Sequence, residues 1–264
     1  MLCSYSTLLL SLAVSTVIAA DTATGVRAFR NGDYATAFRE WRPLAAKGEP
    51  EAQVNLGILY AKGLGVQRDL AEALHWFSLA AAQGNARAQF QLGEMYVKGT
   101  GVAQNFNQAA YWYQQAVERG DPQAESGLGW LFEEGYGVPR SSAQAAHFYR
   151  LAAEQGLAEA EYKLGLLYQR GAGVPKDDSE AAKWFRRSAE QGNAMAQATL
   201  GACYGTGRGV PKDDVQAYLW LTLALDHGQK QAAKDRAALA ARMTSSEVAK
   251  AQEMARAWKP RTRE

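Results

Sequence analysis

Residues 51–85 read EAQVNLGILYAKGLGVQRDLAEALHWFSLAAAQGN, and residues 86–121 repeat the pattern as ARAQFQLGEMYVKGTGVAQNFNQAAYWYQQAVERGD. Gly57, Gly63, Gly65 and Gly84 return 36 residues later as Gly93, Gly99, Gly101 and Gly120, and the first series continues through Gly129, Gly165 and Gly201. A fixed period of this length marks a tandem repeat, in which each unit buries its apolar face mainly against its neighbours.

Within one unit, Ala52, Leu56, Leu59 and Tyr60 fall on a single helical face, which predicts a first helix near 51–62. Gly57 sits in mid-helix, where glycine costs about 1 kcal/mol relative to alanine. Its recurrence implies that a neighbouring backbone comes too close to admit a side chain. Asp69, Asn105, Ser141, Asp177 and Asp213 share one repeat position, and Glu72, Gln108, Gln144, Glu180 and Gln216 follow three residues later. That pairing predicts an N-cap with a capping box in every unit, opening a second helix near 70–83 whose inner face carries Ala73, Trp76, Phe77 and Ala80. The Gly84 series suits a left-handed cap at its end. The glycines of the linking Gly-x-Gly-Val supply positive φ, and Val66 and its equivalents plug the gap between helices.

The expected organisation is a signal segment over 1–20, an N-terminal capping helix pair over 21–50, and five repeats at 51–85, 86–121, 122–157, 158–193 and 194–228. Capping helices and a basic tail follow over 229–264, where Thr244 and Glu247 form another capping box and Val248, Met254 and Trp258 line a last amphipathic helix.

The combined pattern, Ala-x-Ala-Gln-x-x-Leu-Gly-x-x-Tyr-x-x-Gly-x-Gly-Val followed by Ala-x-x-Trp and Ala-x-x-Gly-Asn, closely resembles the Sel-one-like repeat family, relatives of tetratricopeptide repeats. The resemblance covers five units and implies an all-α, right-handed α-solenoid of antiparallel helix pairs. It also implies an adaptor role in protein complexes, with exported bacterial members associated with cell-envelope assembly or host interaction. Some cysteine-rich relatives bind or hydrolyse β-lactams; this chain lacks their repeated cysteine pairs.

The 264 residues carry a net charge of +2, with a pI near 8.4. That balance does not favour a nucleic-acid or anionic-membrane binder. The charge is uneven: residues 229–264 hold nine Lys or Arg against four Asp or Glu. Residues 1–20 contain no charged side chain and run from an apolar stretch, Leu8 to Ile18, into Ala19-Ala20-Asp21, the pattern of a cleaved signal peptide. The stretch is short against the ~20 residues of a membrane span, and Cys3 precedes it, which excludes a lipoprotein cysteine. Cleavage leaves Cys203 as the single cysteine, so no internal disulfide is available and packing alone must stabilise the fold.

Function in a repeat array is expected where the repeat does not set the residue. On the first helix the variable positions lie opposite the constant face. In the first repeat the candidates for partner binding are Val54, Ile58 and Lys62, and in the second Phe90, Glu94 and Lys98. The third offers Trp130 and Glu134, and the fourth Tyr162, Lys163 and Arg170. The resemblance to related solenoids places this face on the concave side, suited to a protein or peptide. Packing between adjacent repeats is the alternative for Phe90 and Leu166, and a glycan or peptidoglycan ligand is the alternative for an aromatic-lined groove.

No catalytic residue, metal site or cofactor is expected. His75 and His147 share a permissive surface position with no paired ligand spacing, and Cys203 replaces leucine or methionine at a core position. Asp177 and Asp213 are capping residues, and the sequence holds no nucleophile elbow, P-loop or dinucleotide fingerprint. The tail Lys259-Pro260-Arg261-Thr262-Arg263 is expected to be a solvated end. The mature protein is expected to begin at Asp21 or Ala20 in the periplasm or outside the cell, and N-terminal sequencing checks this. Retention of Met1 in a cytosolic fraction is the contrary result.

Overall fold

The computed structural model describes residues 23–261; the expected signal segment and Cys3 lie outside the described residues. Fourteen helices and no strand occur among them. They are α1 (23–30), α2 (Tyr34–Ala46), α3 (Pro50–Lys62), α4 (Leu70–Ala82), α5 (Ala86–Lys98), α6 (Phe106–Val117) and α7 (Pro122–Glu134). There follow α8 (Ser142–Glu154), α9 (Ala158–Arg170), α10 (Asp178–Glu190), α11 (Ala194–Thr206), α12 (Asp214–Asp226), α13 (Ala232–Ala240) and α14 (Ser245–Ala257). Helices α3 to α12 are the five repeat pairs. The chain divides into two units, Met1–Ala124 and Glu125–Glu264, with the division inside α7.

Each pair is assembled by backbone chemistry that the sequence announces. The side chains of Asp69, Asn105, Ser141, Asp177 and Asp213 all accept an N–H of the first turn of the second helix. The expected reciprocal capping box is not formed in these five units. The N–H of the cap residue is already donated to the first helix: Asp69 to the Tyr60 carbonyl at 3.0 Å, and likewise in the other four units. The third-position side chain is thereby released. Glu72 accepts the Trp76 indole N–H at 3.0 Å, and Glu180 pairs with Lys183. Among the described residues a reciprocal box closes only at Thr244 and Glu247, where no first helix competes for the cap N–H.

The mid-helix glycines answer a close approach, but the neighbour is mainly an aromatic ring rather than backbone. A Cβ on Gly57 would stand 2.7 Å from the Phe77 ring, and one on Gly165 would stand 2.6 Å from Phe185. The backbone approach lies instead in the linking loops: a Cβ on Gly173 would sit 2.1 Å from the carbonyl oxygen of Ser142.

In the first unit, α1 and α2 close the end of the array around Trp41, with Leu44, Leu56 and Leu59 completing one core, and Phe77, Leu92 and Met95 form the next. In the second unit Tyr149, Leu164 and Leu167 form a core. A larger one around Phe185, Leu200 and Leu223 is closed by Leu239 of α13 and Ala251 of α14.

A buried polar position runs through both units. Gln53, Gln89 and Gln197 donate from Nε2 to the carbonyls of Ala45, Ala81 and Ala189. Gln83 donates to Gln53, and Gln155 to Glu125. Glu161 receives both Gln191 and Arg187, at 2.7 and 2.9 Å. Buried polar groups must be satisfied, so these bonds set the register of a repeat against its neighbour.

The C-terminal segment is docked further than a solvated tail would be. Trp258 meets the His227 ring edge-on at 5.4 Å, and the Arg261 N–H donates to the Glu190 carbonyl at 2.8 Å.

Gly165→Ala should destabilise the protein by about 1–3 kcal/mol through overpacking against Phe185, although alanine is the better residue in an isolated helix by about 1 kcal/mol. Urea unfolding checks this; a neutral or stabilising result would remove the ring–glycine contact as a constraint.

Candidate functional site

Because the rings of α6 and α8 press against glycines of the preceding helix, a tyrosine there carries its hydroxyl past that helix. Tyr113 packs on Gly93 and donates its hydroxyl to Glu94 Oε1 at 2.6 Å. Tyr149 packs on Gly129 and donates to Glu133 Oε2 at 2.8 Å. Burial pushes both phenols well above the usual tyrosine range, and the facing carboxylates, Glu94 for one and chiefly Glu133 for the other, add to it. Phe77 and Phe185 occupy the same repeat position without a hydroxyl.

In the first unit the predicted residues divide. Val54 is fully buried in a cluster with Phe77 and Leu92 and offers no surface to a ligand. The amino-terminal half of α3 is enclosed on every side, residues 52–57 all being buried, because a first helix packs on its own partner and on the next repeat. Ile58 is half-buried against the same cluster, and Lys62 is exposed. Phe90 stacks on Tyr113 at 5.8 Å between ring centroids. Glu94 holds Lys98 as well as Tyr113, so the structure brings Phe90, Glu94 and Lys98 together around one phenol.

In the second unit Trp130 is half-buried, with Tyr136 edge-on at 5.3 Å and 41% exposed. Tyr162 leans on Phe185 at 5.8 Å. Lys163 Nζ lies 3.6 Å from Glu133 Oε2, the oxygen that also accepts Tyr149. Glu134 and Arg170 are exposed. The sequence places Glu133 on the variable face but does not by itself state the site roles of Tyr113, Tyr136 and Tyr149. The available signal was the alternation of tyrosine with phenylalanine at one repeat position, since only tyrosine has a polar end to place.

His75 and His147 are exposed, each edge-on to its neighbouring ring, Trp76 or Phe148. No group of three metal-binding side chains occurs among the described residues. Cys203 is 4% exposed, and burial pushes its thiol up.

The Sel1 repeat profile matches five times, at residues 50–85, 86–121, 122–157, 158–193 and 194–229. Among solved structures, a Sel1 repeat protein from Oxalobacter formigenes is 34% identical with a TM-score of 0.77, over 89% of this chain and 96% of that one. A putative Sel1 repeat protein from Klebsiella pneumoniae is 23% identical with a TM-score of 0.52, over 77% and 99%. An immunity protein from Pseudomonas aeruginosa is 19% identical with a TM-score of 0.55, over 78% and 82%. The last two are likenesses of fold alone. The comparison with curated proteins gives no match.

Free tyrosine ionises near pH 10. Stability supplied by the two protonated phenols is therefore complete below about pH 10 and declines as pH rises above it, where the unfolded chain ionises first. Replacing both Tyr113 and Tyr149 by Phe should cost about 1 kcal/mol per lost hydrogen bond near neutrality and flatten the alkaline decline. Denaturant melts across the alkaline range check this; parallel decline in parent and variant would mean that these phenols ionise like exposed ones.

Proposed function

The chain belongs to the Sel1 repeat family, and we propose that it is an exported, non-enzymatic scaffold that holds a partner protein or peptide on the variable face of the first helices of its repeats. The observation that carries this reading is in the second unit. Half-buried Trp130 and Tyr162 stand at positions the repeat leaves free, accompanied by the exposed charges of Glu134 and Arg170. Partly sheltered aromatics with arginine are the residues on which protein interfaces concentrate their energy. A fold whose cores are spent on joining repeats leaves such faces as its main offering to other molecules.

Export is part of the proposal and is supported by the uncharged apolar leader ending in Ala19-Ala20. Among the described residues no helix is long and apolar enough to cross a membrane. The thiol of Cys203 is sealed in a core, and no nucleophilic role is proposed for it.

A photoreactive amino acid placed at Glu134 or Arg170 should crosslink a partner in intact cells. The same label at His147 or Lys183, exposed on second helices, should yield little adduct. Equal labelling from both pairs of positions, or none from the first, rejects the assignment of this face.

A further inference from the structure

We propose that the turn after α10, together with His227 at the end of α12, is a docking seat for an extended segment that presents a tryptophan followed three residues later by a cation. Residues 258–261 fill that seat from within the chain as a strap, and a partner protein carrying a segment of the same chemistry displaces it. The seat lies on helix ends of the fourth and fifth repeats, apart from the variable face of the first helices, and goes beyond the scaffold proposed there.

The strap is held as a peptide ligand is held. Helix α14 stops at Ala257, Trp258 turns to an extended conformation at φ −67° and ψ 141°, and Pro260 disfavours helix at Lys259. Trp258 is half-buried against the last core, with its ring 5.4 Å from that of His227. The tip of its indole lies over Gly192, 3.9 Å from where a Cβ would stand. The equivalent turns at Gly48 and Gly228 have nothing within 4 Å of that point among the described residues. The Arg261 N–H donates to the Glu190 carbonyl at 2.8 Å, one of the carbonyls that a helix end leaves free. Its guanidinium stands 3.7 Å from the Glu190 carboxylate.

Two features mark a seat rather than a fixed part of the core. His227 occupies the repeat position from which Gln83, Gln155 and Gln191 donate to the preceding repeat. It keeps that tie, from Nδ1 to Gln197 Oε1 at 2.8 Å, and adds a ring where the tryptophan arrives. The strap is also lightly held: Lys259, Pro260 and Arg261 are exposed, and a single hydrogen bond and an exposed ion pair each contribute little in water. A terminal segment bound in this way opens locally, so a competing segment need not unfold the repeat.

The test uses the full chain and a fluorescein-labelled octapeptide copying residues 257–264, with binding followed by fluorescence anisotropy. Trp258→Ala empties the seat and should bind the peptide at least about tenfold more tightly than the parent, where the strap competes at the high effective concentration of a tethered segment. Arg261→Pro, which removes the main-chain donor and leaves the core untouched, should shift affinity in the same direction. A peptide with alanine in place of its tryptophan keeps the charge and should bind the Trp258→Ala protein about tenfold more weakly. Adding His227→Gln to Trp258→Ala restores the residue of the other repeats and should weaken the peptide as well. Excess peptide added to the parent should speed hydrogen exchange at the Arg261 amide. Circular dichroism verifies that the variants fold. Equal binding by the parent and both open variants, equal binding of the two peptides, or undiminished binding with His227→Gln would overturn the seat. Unchanged exchange at the Arg261 amide under excess peptide would overturn displacement of the strap.

Discussion

A side chain of the second helix pressed against a glycine of the first is the contact on which each repeat pair depends: an aromatic ring in the first four pairs and Leu221 in the fifth. Glycine in a helix costs about 1 kcal/mol, whereas burying a large apolar side chain contributes about 1.5–3 kcal/mol, so the exchange favours the glycine wherever the ring is sealed. Phe77, Tyr113, Tyr149 and Phe185 are all sealed to 1% exposure or less. The same closeness turns a core residue into a surface feature. A phenylalanine stops inside the contact, while a tyrosine passes the glycine and delivers a hydroxyl to a carboxylate on the far side of the helix.

The second constraint is polar and ties one repeat to the next. A buried glutamine side chain bonds the carbonyl at the end of the previous second helix. At Gln53 and Gln197 its oxygen also takes a donor thirty residues further on, Gln83 and His227, whereas the Gln89 oxygen has none among the described residues. Where the glutamine becomes Glu161, an arginine joins the donors, since a buried carboxylate needs a charged partner to offset its lost hydration. At the last repeat the donor is His227, whose ring also receives Trp258 from beyond α14. The cap is thus joined to the array through the polar position that joins repeats to one another.

These two constraints decide how much of a first helix is available to a ligand. In α3 the amino-terminal half is enclosed by the repeat's own second helix and by the next repeat, as Val54 shows, whereas the later first helices leave the equivalent residues Phe90 and Tyr162 half-buried. The carboxy-terminal half emerges with Lys62, Lys98, Glu134 and Arg170. The residues between are half-buried, and their rings lean on the rings that cross the glycines: Phe90 on Tyr113 and Tyr162 on Phe185. The proposed interface and the core share side chains, so a substitution such as Tyr162→Ala would disturb both.

Repeat number, helix pairs, N-caps and glycine caps were determined by the sequence, because each follows from a local rule acting within a few residues and repeated five times. The resemblance to a repeat family was legible for the same reason. Three matters were decided only by tertiary structure. The N-cap N–H is claimed by the Tyr60 carbonyl, which prevents the capping box that the spacing of Asp69 and Glu72 announces. The occupant facing each mid-helix glycine, four times a ring and once Leu221, depends on how two helices lie against each other. The site around Glu133 and Tyr149 joins residues from different helices, and helical periodicity places a side chain on a face without stating what crosses that face from the neighbouring helix.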